Sequence, residues 1–282
     1  MVELKNSVLK TKGKKSLVYD AFYKKNSVKK PLVVFCHGYK GFKDWGAWSL
    51  VAKEFSKKNF FFIKFNFSHN GGTISNPIDF PDLEAFGNNN FSHELDDLER
   101  ILVYLKTCEK FYHDLDFDNI SLIGHSRGGG NVLIKAFEDK RINRVITWAG
   151  VSDFKIRFQE GTKEFAKWKE DGIMYVENSR TKQSMPHFFQ FYNDFKKNES
   201  RFEIKKAVEQ LKVPCLVIHG TNDSSVLPFE GEDLFSWNKK NKIERIKGAD
   251  HVFGSSHPWN SKNLPSDLNK VVNVSIDFLR NN

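Results

Sequence analysis

The sequence predicts an α/β fold, with a mostly parallel central sheet covered by helices on both faces. Three observations predict it. The chain has 282 residues and is 39% hydrophobic, enough for one large core. Short apolar runs at residues 32–36, 120–123, 145–149 and 215–218 each stop at a glycine or within a residue of one. Helical patterns lie between these runs, and alternation of strand and helix implies parallel pairing through crossovers.

Taken in order, residues 8–10 and 17–23, separated by Lys12-Gly13-Lys14, suggest an antiparallel hairpin at the sheet edge. Residues 32–36 close on His37-Gly38, and the β-rich stretch 60–67 closes on Ser68-His69-Asn70-Gly71-Gly72, so both read as buried strands ending in turns. Helical patterns cover 45–57, then Leu95, Leu98, Leu102 and Leu105 at spacings of three and four, then 132–137 and 271–279. A short strand is expected at 243–246.

Residues 151–212 break the rhythm, because the strands near 145 and 215 stand much further apart than a crossover helix requires. The expected organisation is a core of 1–150 and 213–282 with an inserted lid at 151–212. The lid is rich in aromatic residues, and a helix started by Pro186 would align Phe188, Phe191, Tyr192 and Phe195 on one apolar face. That face is expected first to pack on the body. Tyr175, Phe188 and Tyr192 are the candidates within the lid for contact with a substrate.

Composition narrows the function. Cys36, Cys108 and Cys215 are odd in number and lack CxxC or zinc-ligand spacing, so neither a disulfide scaffold nor a metal centre is expected, and a reducing cytoplasm fits. Lysines interrupt the N-terminal segment, which therefore does not read as a signal peptide, and no apolar run approaches the length of a membrane span. Charge is segregated: residues 1–64 carry 15 Lys against 4 acids, and residues 65–118 carry 3 basic against 11 acidic residues. These lysines are scattered through candidate strands and turns with no nucleic-acid motif beside them, so they read as a solvated face and not as a nucleic-acid or membrane surface.

The chemistry centres on Gly124-His125-Ser126-Arg127-Gly128, which fits G-x-S-x-G between the strand at 120–123 and a helix opening at Gly128-Gly129-Gly130. Small residues on either side let the chain turn sharply and expose the Ser126 hydroxyl, above a helix N-terminus that favours negative charge. A serine hydroxyl is a weak nucleophile, so it needs a base and a carboxylate to orient that base. Asp223 follows the strand at 215–218, and His251 follows the strand at 243–246. All three sit at C-terminal strand ends, where open parallel sheets build their sites. Asp153 is a less favoured acid and His257 a less favoured base.

In these residues, their order and their context the sequence resembles the α/β-hydrolase family. Within it the His-Gly turn, the large lid and the acid look most like bacterial cinnamoyl and feruloyl esterases and the serine aminopeptidase or dienelactone-hydrolase-like group. Ser126 stands where dienelactone hydrolases use cysteine, so their chemistry is not carried over. The resemblance implies an oxyanion hole from the backbone amides of Tyr39 and Arg127. The Arg127 side chain is read first as a structural ion pair and second as a contact for a substrate carboxylate. No cofactor is implied.

The expected activity is hydrolysis of a small carboxylic ester through an acyl-enzyme on Ser126, with His251 as base. Activity would rise with pH through an imidazole titration, near ~6.5 where unperturbed. A peptidase, amidase or thioesterase would use the same residues. A reading from a different class, a ligand-binding protein on this fold, would show saturable binding without turnover.

Overall fold

The computed structural model describes residues 1–281. The chain runs β1 (Val2–Leu9), β2 (Leu17–Tyr23), β3 (Lys30–Cys36), α1 (Trp48–Lys57), β4 (Phe61–Phe65), α2 (Leu83–Gly87) and α3 (Phe91–Thr107). It continues with β5 (Leu115–His125), α4 (Arg127–Glu138), β6 (Ile142–Trp148), α5 (Lys163–Asp171), β7 (Ile173–Glu177), β8 (Ser184–Phe188), α6 (Gln190–Lys197) and α7 (Ile204–Glu209). β9 (Cys215–Gly220), α8 (Pro228–Ser236), β10 (Lys242–Ile246) and α9 (Ser266–Asn281) complete it.

Eight strands form one sheet in the order β1-β2-β4-β3-β5-β6-β9-β10. Pairing is antiparallel for β1 with β2 and for β2 with β4, and parallel from β4 through to β10. The expected hairpin is thus the sheet edge, and β1 there shows the half-exposed pattern of an edge strand while β2 is buried throughout. Alternate residues of β3 enter opposite cores. Leu32 and Val34 join a cluster with α3, α4 and α7, whereas Val33 and Phe35 join one with α1 and α9. A strand buried on both faces must be apolar at every position, which is why β3 reads as an unbroken apolar run.

The expected solvated lysine face is corrected in part. Lys30, Lys43 and Lys64 are buried, and each is paired. Lys64 Nζ lies 2.6 Å from Asp20 Oδ2, and Lys43 Nζ lies 2.8 Å from Asp20 Oδ1. Lys43 N also donates to Asn66 Oδ1 at 2.7 Å. These contacts bind β2 and β4 to the loop after β3. A buried charge is tolerated only with such partners, so the cluster specifies the loop's path. Lysines of the basic segment also meet the acidic segment: Lys14 pairs with Asp96, Lys15 with Asp82 and the buried Lys30 with Asp114.

Between β6 and β9, α5, the β7–β8 hairpin and α6 stand apart from the eight-stranded sheet, with β7 and β8 forming their own antiparallel pair. α7 differs, since its Ile204, Ala207 and Val208 are buried in the main core. Pro186 lies within β8, opposite Tyr175, so the expected helix starts later, at Gln190. Phe191 and Phe195 are buried on that helix. No helix among the described residues is long and apolar enough to cross a membrane.

Candidate active site

β5 ends at His125 and α4 begins at Arg127, leaving Ser126 to turn the chain with φ 56° and ψ −122°. Such a conformation costs a non-glycine residue about 1–3 kcal/mol and persists only where neighbours hold it. Three backbone hydrogen bonds do so: Ser126 N donates to Trp148 O at 3.0 Å, and Ser126 O accepts from Gly129 N at 2.9 Å and Val151 N at 3.2 Å. The turn is also tightly packed. A Cβ on Gly124 would lie 2.1 Å from Gly128 O, and one on Gly128 would lie 2.5 Å from Cys36 O. Glycine is therefore required at both places, and the motif is a steric necessity of the bend.

The loop after β3 lies against this serine. A Cβ on Gly38 would sit 2.7 Å from Ser126 Cβ and 3.3 Å from Ser126 Oγ, so the backbone of Gly38 approaches the hydroxyl closely. His37 holds that loop: its Nδ1 is 2.9 Å from Gly38 O and its Nε2 is 3.3 Å from Phe67 N. A carbonyl only accepts and an amide N–H donates, so the ring carries its proton on Nδ1. Burial lowers the His37 pKa to about 4, which keeps the ring neutral.

Asp223 and His251 meet directly, with Asp223 Oδ2 2.8 Å from His251 Nδ1. Asp223 Oδ1 accepts from Ser225 N at 2.8 Å and Val226 N at 2.9 Å. Burial opposes ionisation of Asp223, but hydrogen bonds from His219, His251 and the Val226 amide outweigh it and hold the carboxyl well below its usual range. An ionised Asp223 keeps the His251 proton on Nδ1 and leaves Nε2 free to accept one.

Two further histidines brace this pair. His125 Nε2 donates to His251 O at 2.9 Å, and burial lowers the His125 pKa to about 3. His219 Nε2 donates to Val226 O at 2.9 Å and lies 3.4 Å from Asp223 Oδ2. His219 Nδ1 is buried without a partner, so the ring's proton stays on Nε2.

Ser126 and His251 open on one cavity of about 570 Å³. Its walls are aromatic, from Phe91 of α3, Phe154 and Phe158 after β6, Phe165 and Trp168 of α5, and Phe191 of α6. Met174 and Val176 of β7 complete them. Ser126 Oγ makes no hydrogen bond among the described residues, and nucleophile–base contacts are often long in a free enzyme. A separate hollow of about 460 Å³, lined by Lys15, Asn66, Thr73 and Asp82, contains none of these groups.

The three lid candidates need correction. Tyr175 is 61% exposed, because strand alternation turns Met174 and Val176 toward the cavity and Tyr175 to solvent. Phe188 ends β8 and packs on α2, where a Cβ on Gly87 would meet its ring at 2.9 Å. Tyr192 stacks its edge on Phe158 and Phe165 at 5.4 and 4.8 Å, behind the lining rings. Sequence reading missed Phe91, Met174 and His187 as lining residues. The short period-2 pattern at 173–177 was the available signal for Met174 and Val176. Of the less favoured alternatives, His257 Nδ1 accepts from Gly46 N at 2.9 Å, and Asp153 accepts from the amide of Lys155, so neither joins the Asp223–His251 pair.

Among the described residues no cluster of His, Cys, Asp and Glu could hold a metal ion. A buried, ionised carboxylate on an imidazole, beside a strained serine at a helix N-terminus, can deprotonate a hydroxyl and stabilise an anion next to it.

No family model matches the chain, and no curated protein sequence matches it. Solved structures do. The structure of ferulic acid bound to Est1E from Butyrivibrio proteoclasticus is 17% identical with a TM-score of 0.73, covering 97% of this chain and 98% of that one. The alpha/beta hydrolase GrgF from Penicillium sp. sh18 is 17% identical with a TM-score of 0.69, covering 99% and 98%. The Pyrococcus horikoshii acylaminoacyl peptidase is 15% identical with a TM-score of 0.67, covering 99% of this chain but 41% of that one. Likeness at these identities establishes a shared fold.

Proposed function

We propose that this chain, which has the α/β-hydrolase fold, is a serine hydrolase cleaving small carboxylic esters. One observation carries the reading: the Asp223–His251 hydrogen bond of 2.8 Å and the strained Ser126 open on the same aromatic cavity. Two structures of similar fold, Est1E with bound ferulic acid and the esterase domain of a Rhodothermus marinus protein, support an ester as the substrate.

In this reading His251 Nε2 takes the Ser126 proton as Oγ attacks the ester carbonyl. The carbonyl oxygen gains negative charge and rests on the backbone N–H groups of Tyr39 and Arg127, each such donor being worth about 10²–10³ in turnover. The imidazolium, steadied by Asp223, then protonates the leaving alcohol. Water, deprotonated by the same imidazole, releases the acid and restores Ser126. We read α5, the β7–β8 hairpin and α6 as the cover that excludes bulk water, which strengthens these interactions.

The test is labelling with a fluorophosphonate probe and peptide mass spectrometry, beside a folded Ser126→Ala control. An adduct on Ser126 that the control lacks, with multiple turnovers of a short-chain 4-nitrophenyl ester, supports the reading. Stoichiometric binding without turnover would replace it with a ligand-binding role. Amide and thioester analogues of the same acyl group, run in parallel, rank the bond types.

A further inference from the structure

The cavity holds a cation that the mechanism above leaves idle. Arg127 is the first residue of α4, and only its backbone enters the proposed chemistry. Its guanidinium carbon lies 4.6 Å from the Tyr39 ring centre, 5.2 Å from that of Phe191 and 5.6 Å from that of Phe91. Three aromatic faces thus fix the group in position at the cavity wall.

Its hydrogen bonding is far from complete. Nη1 lies 3.5 Å from Glu94 Oε1, longer than a usual N–H···O contact. Glu94 is already supplied by shorter bonds, from Asn131 Nδ2 at 2.6 Å to Oε2 and from Asn89 Nδ2 at 2.7 Å to Oε1. Glu94 therefore backs the guanidinium without occupying its fork. The other N–H groups of Arg127 have no protein acceptor among the described residues, and its nitrogens are not among the buried atoms sealed without partners.

Of the other basic groups of this wall, Arg157 and His187 are engaged or neutral. Arg157 is ion-paired with the buried Glu230. His187 is neutral, because burial, aided by Arg127 and Lys40, lowers its pKa to about 3. Glu164, the acid on the α5 side, is exposed. A planar fork of donors in an aromatic-walled pocket matches a carboxylate, which would take two parallel N–H···O bonds.

We propose that the Arg127 side chain binds a carboxylate of the substrate, so that the preferred esters are anionic. This deepens the serine-hydrolase reading and rests on it for the identity of the bond cleaved. The carboxylate would belong to the acyl part or to the alcohol part of the ester, and the experiment separates these sources.

Binding is measured by calorimetry on the full chain carrying Ser126→Ala, which prevents turnover. Monomethyl succinate is compared with dimethyl succinate for an acyl-side carboxylate, and acetoxyacetate with its methyl ester for an alcohol-side one. One anionic member is expected to bind about 10- to 100-fold tighter than its neutral partner, as a charged hydrogen-bonded pair predicts. Arg127→Met in the same background should abolish that gain, and Arg127→Lys should restore part of it. Should the Met variant not fold, Arg127→Gln, which retains a donor for Glu94, carries the same comparison. Equal binding within both pairs, or a gain that survives loss of the guanidinium, overturns the proposal. Failure of the wild-type chain to turn over esters would instead count against the serine-hydrolase reading, and leaves the binding result standing.

Discussion

Tyr39 Oη and His187 Nε2 lie 2.7 Å apart and join the loop after β3 to the β7–β8 hairpin. The two residues are 148 positions apart in sequence. Trp168 of α5 adds to the joint by donating Nε1–H to His187 O at 2.7 Å. Burial, only partly offset by Arg127, raises the Tyr39 pKa to about 12, so the phenol remains neutral. The residue whose amide we assign to the oxyanion hole is thereby the residue that ties the loop after β3 to the β7–β8 hairpin.

Tyr39→Phe removes this bond and leaves the backbone amide in place. A neutral hydrogen bond is worth about 0.5–1.5 kcal/mol, so KM is expected to rise several-fold while kcat changes little. Amide exchange across residues 173–188 should quicken in the same variant. A kcat loss of orders of magnitude with KM unchanged would mean that the phenol itself acts in the chemistry.

Asp223→Asn exchanges the acceptor facing His251 Nδ1–H for an amide that can hold the ring in the wrong tautomer. Turnover should fall by about 10⁴-fold with the fold retained. His219→Ala acts one step further out, removing a donor to Asp223, so a smaller loss is expected together with a changed pH-activity profile. If the His219 variant loses stability and keeps the wild-type profile, His219 is a packing residue and does not position Asp223.

Acid should destabilise the protein in a defined window. His37, His125 and His187 have pKa values lowered to about 4, 3 and 3 by burial, against about 6.5 when unfolded. Between these limits the unfolded chain binds protons that the native state refuses, so stability present above pH 6.5 is lost as pH falls toward 4. Each histidine contributes a slope of at most about 1.4 kcal/mol per pH unit. Buried Asp97, raised to about 7 by burial against hydrogen bonds from Ser68 and Arg100, works in the opposite direction. Melting temperature measured from pH 7.5 to 4.5 should fall, less steeply for His125→Gln and more steeply for Asp97→Asn. A flat wild-type profile would contradict the neutral burial of these rings.

The aromatic wall should set the acyl size. Trp168 is 2% exposed and lines the cavity, whereas Tyr175 is 61% exposed. Trp168→Ala is therefore expected to raise KM for bulky acyl esters about tenfold or more and to cost about 3–5 kcal/mol of stability. Tyr175→Ala should leave both near wild type. Steady-state kinetics on acetate and benzoate esters, with thermal melting, checks this contrast, and an equal effect of the two substitutions would exclude the assigned wall.

Local chemistry made much of this molecule legible in the sequence. The apolar runs locate the strands because a strand covered on both faces has no polar position, and Gly124 and Gly128 mark the bend because no other residue fits. Ser126, Asp223 and His251 could be picked out together because each follows a strand in a parallel sheet, whose strand ends gather at one edge. Tertiary structure alone decided the rest. Phe188 was misplaced because its spacing to Phe191, Tyr192 and Phe195 reads as one helix from Pro186, while the chain at 184–188 is a strand whose partner, β7, is chosen by pairing, and that pairing also sets which side of β7 Tyr175 faces. The segregated charge of residues 1–118 is partly neutralised by Lys14–Asp96, Lys15–Asp82 and Lys30–Asp114. Such contacts join positions far apart along the chain, so their energies depend on its path through space, and composition or periodicity within a window does not contain that path.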